Sequence, residues 1–162
     1  MEHEMREYVF LVDKSISMFG RESDVIRLLN RIFNGCEQGS ECTYATLGLF
    51  SEYLDIVYIH NEWQCVRPIN QSIYYIEGGT ALFDAVCEMC RRIEDNLKYI
   101  KENISKYVKI YVITDGIDNA SVYNDSIMFK DEIEKRLNDG WKIDILTPEY
   151  KKIPIESLYR NI

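Results

Sequence analysis

The sequence predicts an α/β protein with a doubly wound, mostly parallel central sheet, one antiparallel edge strand and helices on both faces. Three observations carry this reading. Unbroken apolar and aromatic runs, Tyr8-Val9-Phe10-Leu11-Val12 and Ile110-Tyr111-Val112-Ile113, suit strands covered on both sides. Such runs alternate with stretches whose apolar residues recur at helical spacing, which implies right-handed crossovers between parallel strands. Finally, polar residues follow both runs directly, and open α/β sheets bind ligands at the carboxyl ends of their strands.

Taken in order, the first strand is expected at about Tyr8 to Asp13. A helix follows from about Glu22 to Asn34, with Val25, Ile26, Leu28, Leu29, Ile32 and Phe33 as its apolar face. Two strands come close together, about Thr43 to Ser51 and Tyr53 to His60. The short break at Ser51-Glu52 suggests a hairpin, hence an antiparallel edge. Trp63 to Asn70 reads as an irregular connection, and the Gly78-Gly79 pair breaks the chain before Thr80. A long helix is expected from about Ala81 to Lys101, its buried stripe running through Leu82, Val86, Met89, Cys90, Ile93, Leu97 and Ile100. Val108 to Thr114 is expected as the central strand. A helix from about Ser126 to Asn138 is stopped by Gly140, and Lys142 to Leu146 is the last clear strand.

Composition bounds the function. A chain of 162 residues fits one compact domain spanning 1–162, and 46% hydrophobic with 28% charged residues is an ordinary globular balance. The net charge of -8, with no basic stripe interleaved with aromatics, argues against nucleic-acid binding. No run approaches the roughly 18 apolar residues that span a bilayer. The amino-terminal residues are charged and carry no apolar signal core, so the expected location is the cytoplasm. Five cysteines, an odd number, suit that compartment. Cys87 and Cys90 form a C-x-x-C inside a helical pattern, without a second pair or a nearby histidine. They read as buried small apolar thiols rather than zinc ligands.

The chemistry concentrates in three loops at 13–17, 78–80 and 114–116. Asp13-Lys14-Ser15-Ile16-Ser17 and Thr114-Asp115-Gly116 each follow a predicted strand, and Gly78-Gly79-Thr80 precedes a predicted helix. Asp13, Ser15, Ser17, Thr80 and Asp115 offer only oxygen: two carboxylates and three hydroxyls. Hard oxygen donors suit magnesium, calcium or manganese rather than zinc or copper.

This constellation resembles the metal-ion-dependent adhesion site of the von Willebrand factor A domain family, a D-x-S-x-S segment followed by a distant Thr and a distant Asp. Gly78-Gly79-Thr80-Ala81-Leu82-Phe83-Asp84-Ala85 and Ile113-Thr114-Asp115-Gly116 resemble stand-alone bacterial members in particular. The likeness covers about residues 6 to 150, and Ile16 stands where many bacterial members have Gly. It implies a Rossmann-like fold and a Mg2+ site (or Mn2+ or Ca2+) with Ser15, Ser17 and Thr80 as direct ligands. Asp13 and Asp115 would then act through water or as partners that fix the hydroxyls. It further implies a binding module rather than an enzyme. Five protein groups at most, some indirect, leave a position for an outside oxygen on an ion that prefers six ligands. A partner protein presenting an Asp or Glu carboxylate would supply it. The resemblance also implies that Pro148 to Ile162 complete the sheet edge and form a final helix over Ile155 to Ile162.

Two other readings are carried beside it. A magnesium-dependent phosphohydrolase would need an acidic residue two places after Asp13, where Ser15 stands, and neither a P-loop nor an evident base is present; His3 and His60 are the only histidines. A structural subunit without metal dependence would have no use for all five oxygen donors. Asp84 and Asp118 lie near the motif but are expected to be helix-start or loop residues.

Overall fold

A computed structural model describes residues 3–36, 42–67 and 69–159. Strand β1 (Glu4–Asp13) occupies the centre of the sheet, and its lack of alternation has a direct cause. Val9 and Leu11 point into one apolar cluster, and Tyr8, Phe10 and Val12 point into another on the opposite face. Helix α1 (Glu22–Gly35) covers the second cluster with Val25, Leu28, Leu29 and Ile32. Strands β2 (Thr43–Phe50) and β3 (Leu54–Glu62) form the expected antiparallel hairpin. Helices α2 (Leu82–Leu97) and α3 (Ser126–Asn138), separated in sequence by β4 (Ser105–Ile113), lie on the first cluster, and β5 (Lys142–Leu146) closes the other edge. The sheet order is β3-β2-β1-β4-β5, with every neighbouring pair parallel except β2 and β3. This is the doubly wound arrangement expected from sequence.

Three expectations are corrected. The strand carrying Asp115 is not central: β4 lies between the central β1 and the edge strand β5. Helix α2 ends at Leu97 rather than near Lys101, because Tyr99 and Ile100 donate to the carbonyls three residues back and tighten the chain into a turn. The tail contributes one isolated antiparallel bridge, Leu146 with Lys152, and a four-residue 3-10 turn, Ile155–Leu158, instead of a strand and a helix. Pro154, which lacks an N–H, stands at the start of that turn. Residues 160–162 of the expected final helix lie outside the described residues. Among the described residues no helix is long and apolar enough to cross a membrane.

One buried charge shapes the hairpin edge. Glu7, on β1, is buried; its carboxylate accepts from the Thr46 hydroxyl and bonds His60 Nδ1. The Thr46 hydroxyl in turn accepts from the His60 amide, beside a register shift between β2 and β3 that leaves His60 at φ 50°. His60 is thus the imidazole partner of a core carboxylate at a bulge of the edge strand.

Candidate metal centre

The end of β1 is held by parallel pairing of Asp13 with Phe50, continued by Lys14 N–H donating to the Phe50 carbonyl at 2.8 Å. There the chain bends sharply. Asp13 Oδ1 accepts from the Ser15 amide at 2.8 Å, a side-chain mimic of a backbone turn. A 3-10 turn over Ile16–Met18 follows, closed by Met18 N–H to the Ser15 carbonyl. The turn sets the Ser15 and Ser17 hydroxyls 3.0 Å apart.

The second loop docks on the first. The Ile16 amide donates to the Gly78 carbonyl at 3.0 Å, and Gly78 adopts φ 69°, a conformation natural to glycine. Thr80 is held on both sides of its backbone: its N–H donates to Asn119 Oδ1, and its carbonyl accepts from the Asn119 and Ala120 amides. Gly79 permits this closeness, since a Cβ there would stand 3.1 Å from Ala120 Cβ and 3.2 Å from Asn119 Oδ1. The Thr80 hydroxyl consequently lies 2.7 Å from Ser15 Oγ. From the third loop the Thr114 hydroxyl donates to Asp13 Oδ2 at 2.7 Å, and Asp115 follows, its carboxylate accepting from the Ile117 amide at 3.3 Å.

Four of the five residues singled out by sequence are therefore linked: Asp13 to Ser15, and Ser15 to both Ser17 and Thr80. Asp115 is coupled to them by charge. Burial raises the Asp13 carboxyl pKa against the pull of the Ser15 and Thr114 bonds, and the charge of Asp115 raises it further. Among the described residues no group of three or more His, Cys, Asp or Glu converges as a metal cluster. A cation here would rest on hydroxyls and two carboxylates, a set that suits a hard ion. The hydroxyl pairs stand at 3.0 and 2.7 Å, hydrogen-bonded to one another through Ser15.

Sequence reasoning missed the residues that brace this loop. The Lys14 side chain turns away from the oxygens and is buried, its ammonium 2.7 Å from both Asp55 and Glu77, 3.1 Å from the Tyr75 hydroxyl and 4.2 Å from that ring's centroid. Burial alone would lower the Lys14 pKa, but these partners outweigh it and hold the ammonium above the ordinary lysine value. Tyr74 donates its hydroxyl to the Asp13 carbonyl, and Glu77 its amide to the Lys14 carbonyl. Residues 74–78 are thus strapped to the motif loop. A lysine inside the motif was the one visible signal. Asp84 and Asp118 are engaged as loop braces: Asp84 accepts from the amides of Val122, Tyr123 and Asn124, and Asp118 from the Phe83 amide and the Ser121 hydroxyl.

No known protein family and no curated protein matches the chain. Solved structures do. The manganese-loaded TRAP protein of Plasmodium vivax superposes with a TM-score of 0.67 at 18% identity over 91% of this chain and 58% of that one. An aerotolerance-related membrane protein from Bacteroides fragilis gives 0.58 at 17% identity over 87% of this chain and 66% of the other. A von Willebrand factor type A structure from Catenulispora acidiphila gives 0.57 at 16% identity over 89% and 33%. The chain spans less than two thirds of the length of each of these structures. At these identities the likeness is one of fold, and the doubly wound α/β sheet is the fold of von Willebrand A domains.

Proposed function

We propose that this chain is a divalent-cation-dependent protein-binding module, a von Willebrand A-type domain of bacterial kind that works in the cytoplasm. Ser15, Ser17 and Thr80 would hold Mg2+, or Mn2+ or Ca2+, with Asp13 and Asp115 balancing its charge. The observation that carries this reading is the linkage of three hydroxyls from two loops, Ser15 Oγ lying 2.7 Å from that of Thr80 and 3.0 Å from that of Ser17, with the Ser15 amide bonded to the buried Asp13. When bound, the ion would offer an open position to a carboxylate oxygen. The chain's own residues do the rest: Thr114 and the Ser15 amide orient Asp13, and the Asn119 brace orients Thr80.

Protein recognition is favoured over histidine-assisted hydrolysis because both histidines, His3 and His60, lie away from the site. His60 is engaged with Glu7, six residues before Asp13 on β1, which is about 20 Å at 3.3 Å per residue.

The test is thermal unfolding of wild type and Asp13→Ala across a Mg2+ and Mn2+ titration. At a hundredfold excess over Kd the wild type gains about 2.7 kcal/mol. That corresponds to about 5–10 °C for a chain of this size. Asp13→Ala should not respond. An unresponsive wild type would sink the proposal.

A further inference from the structure

The surface around the candidate site is unusually apolar. Among the described residues, only three of the exposed large hydrophobic side chains, Val57, Tyr99 and Leu137, lie away from the loops and first helical turns at the carboxyl ends of the parallel strands. Three of those at that end stand within two residues of a metal-site donor. Ile16, between Ser15 and Ser17, is 66% exposed; Phe19, two after Ser17, is 78% exposed; Ile117, two after Asp115, is 63% exposed. A solvated ion site needs no such fence. Exposed apolar residues gathered in one place, with aromatics among them, are the mark of a protein-docking surface.

The charges nearby point the same way. Lys14 is occupied by Asp55 and Glu77, and Arg21 by Glu149 at 3.4 Å. The cations that flank the first loop, Lys14 and Arg21, are thus taken by acids of this chain, so attraction to a carboxylate beside Ser15 and Ser17 falls to the metal. Beside that carboxylate the exposed side chains next to the donors in sequence include Ile16, Phe19 and Ile117. A partner segment rich in acid would be repelled by a chain of net charge -8, and one with polar flanks would leave the fence uncovered.

Resting on the metal-dependent reading above, we infer that the partner's acidic residue is carried inside an apolar segment, whose neighbouring side chains cover Ile16, Phe19 and Ile117. The metal supplies the anchor, and the fence supplies the selection.

The experiment uses the whole chain and two labelled peptides, Gly-Leu-Asp-Phe-Gly and Gly-Ser-Asp-Ser-Gly, followed by fluorescence polarisation with and without Mg2+. Thermal unfolding is run on the same samples, and anionic phosphatidylserine vesicles form a separate arm. The apolar-flanked peptide should bind about tenfold or more tighter, since one buried anchor is worth that much, and only with Mg2+. The variant Ile16→Ser/Phe19→Ser/Ile117→Ser should keep its Mg2+-linked rise in Tm and lose the preference. Should Mg2+ stabilise the protein while the two peptides bind alike, or neither binds, the apolar-segment inference is overturned and the metal site stands. Metal-dependent binding to vesicles in place of peptide overturns it in favour of a lipid surface. A wild type that does not respond to Mg2+ removes both readings.

Discussion

Replacing Lys14 by Met should cost less than removing the two acids that surround it. The reason is an asymmetry of burial. The Lys14 side chain is 1% exposed, whereas Asp55 and Glu77 are 57% and 51% exposed. Lys14→Met loses two charge-assisted bonds, nominally about 1.5–3 kcal/mol each, but water reaches both stranded carboxylates and screens most of that loss. Met also fills the space of the lysine stem and spares the desolvation of an ammonium. The net cost works out at about 1–2 kcal/mol. Asp55→Ala/Glu77→Ala instead leaves a buried ammonium with Tyr75 alone, and breaking a buried pair in this way costs about 3–5 kcal/mol. At about 2–4 °C per kcal/mol, Tm should fall by about 2–8 °C in the first variant and about 6–20 °C in the second. Folding raises the Lys14 pKa, so its contribution is complete below the unfolded value of about 10.4 and fades only as pH climbs through the folded value. The gap between wild type and Lys14→Met should therefore be flat from pH 6 to 9. Thermal unfolding at several pH values measures both quantities. If Lys14→Met proves as damaging as the double variant, the asymmetry argument fails.

Three further outcomes are expected. Ser15→Ala removes the hydroxyl shared by Ser17 and Thr80; it should cost about 1 kcal/mol without metal and abolish the Mg2+-linked rise in Tm. Hydrogen bonds from Arg136 hold the Glu94 carboxyl at a pKa of about 2, so its contribution is full above the ordinary value near 4.5 and is lost as pH falls toward 2. Glu94→Gln should lose about 1–2 kcal/mol at neutral pH, allowing for a side chain 34% exposed, and should flatten the acid side of the stability curve. Burial pushes the Cys36 and Cys87 thiols up to about 12 and Cys90 higher still. A thiol reagent should therefore label the exposed Cys65 readily in the native protein and these three only after denaturant is added.

Periodicity carried most of the architecture because helical and strand spacing record which face is buried. The bounds of α3 and β5 were legible to the residue. Periodicity failed where an apolar residue serves something other than the element it extends. Ile100 continues the stripe of α2, yet it belongs to the turn that feeds β4. Ser15 and Ser17 could be read as a pair because their chemistry is local: two hydroxyls, two residues apart, after a strand. The roles of Lys14, Tyr74 and Thr114 could not, because each depends on a partner 61 to 101 residues away, for example Tyr75, the Asp13 carbonyl and the Asp13 carboxylate. Buried Glu7 contradicts its strand pattern for the same reason, its partners Thr46 and His60 coming from β2 and β3.

The placement of the site follows from topology. From β1 the chain crosses by α1 to β2 on one side of the sheet centre, while β4 leads by α3 to β5 on the other. The loops leaving the carboxyl ends of β1 and β4 therefore diverge and leave a crevice between them, the position where doubly wound sheets bind ligands. Asp13 and Thr114 face each other across that divide and are joined by a 2.7 Å bond. The loop before α2 brings Thr80 over the top, fixed by Asn119 from the β4 side and by the Gly78 carbonyl contact with Ile16 from the β1 side. The loop after β1 thus positions the Ser15 and Ser17 hydroxyls, the loop before α2 positions that of Thr80, and the loop after β4 positions that of Thr114. A substitution that loosens any one of the three loops should weaken metal binding even when all five donors remain. Asn119→Ala tests this directly, because Asn119 lies outside the proposed donor set and its side chain holds the Thr80 amide. It should weaken the metal-linked rise in Tm while leaving Ser15, Ser17 and Asp13 chemically intact, and an unchanged titration would show that Thr80 is held in place without it.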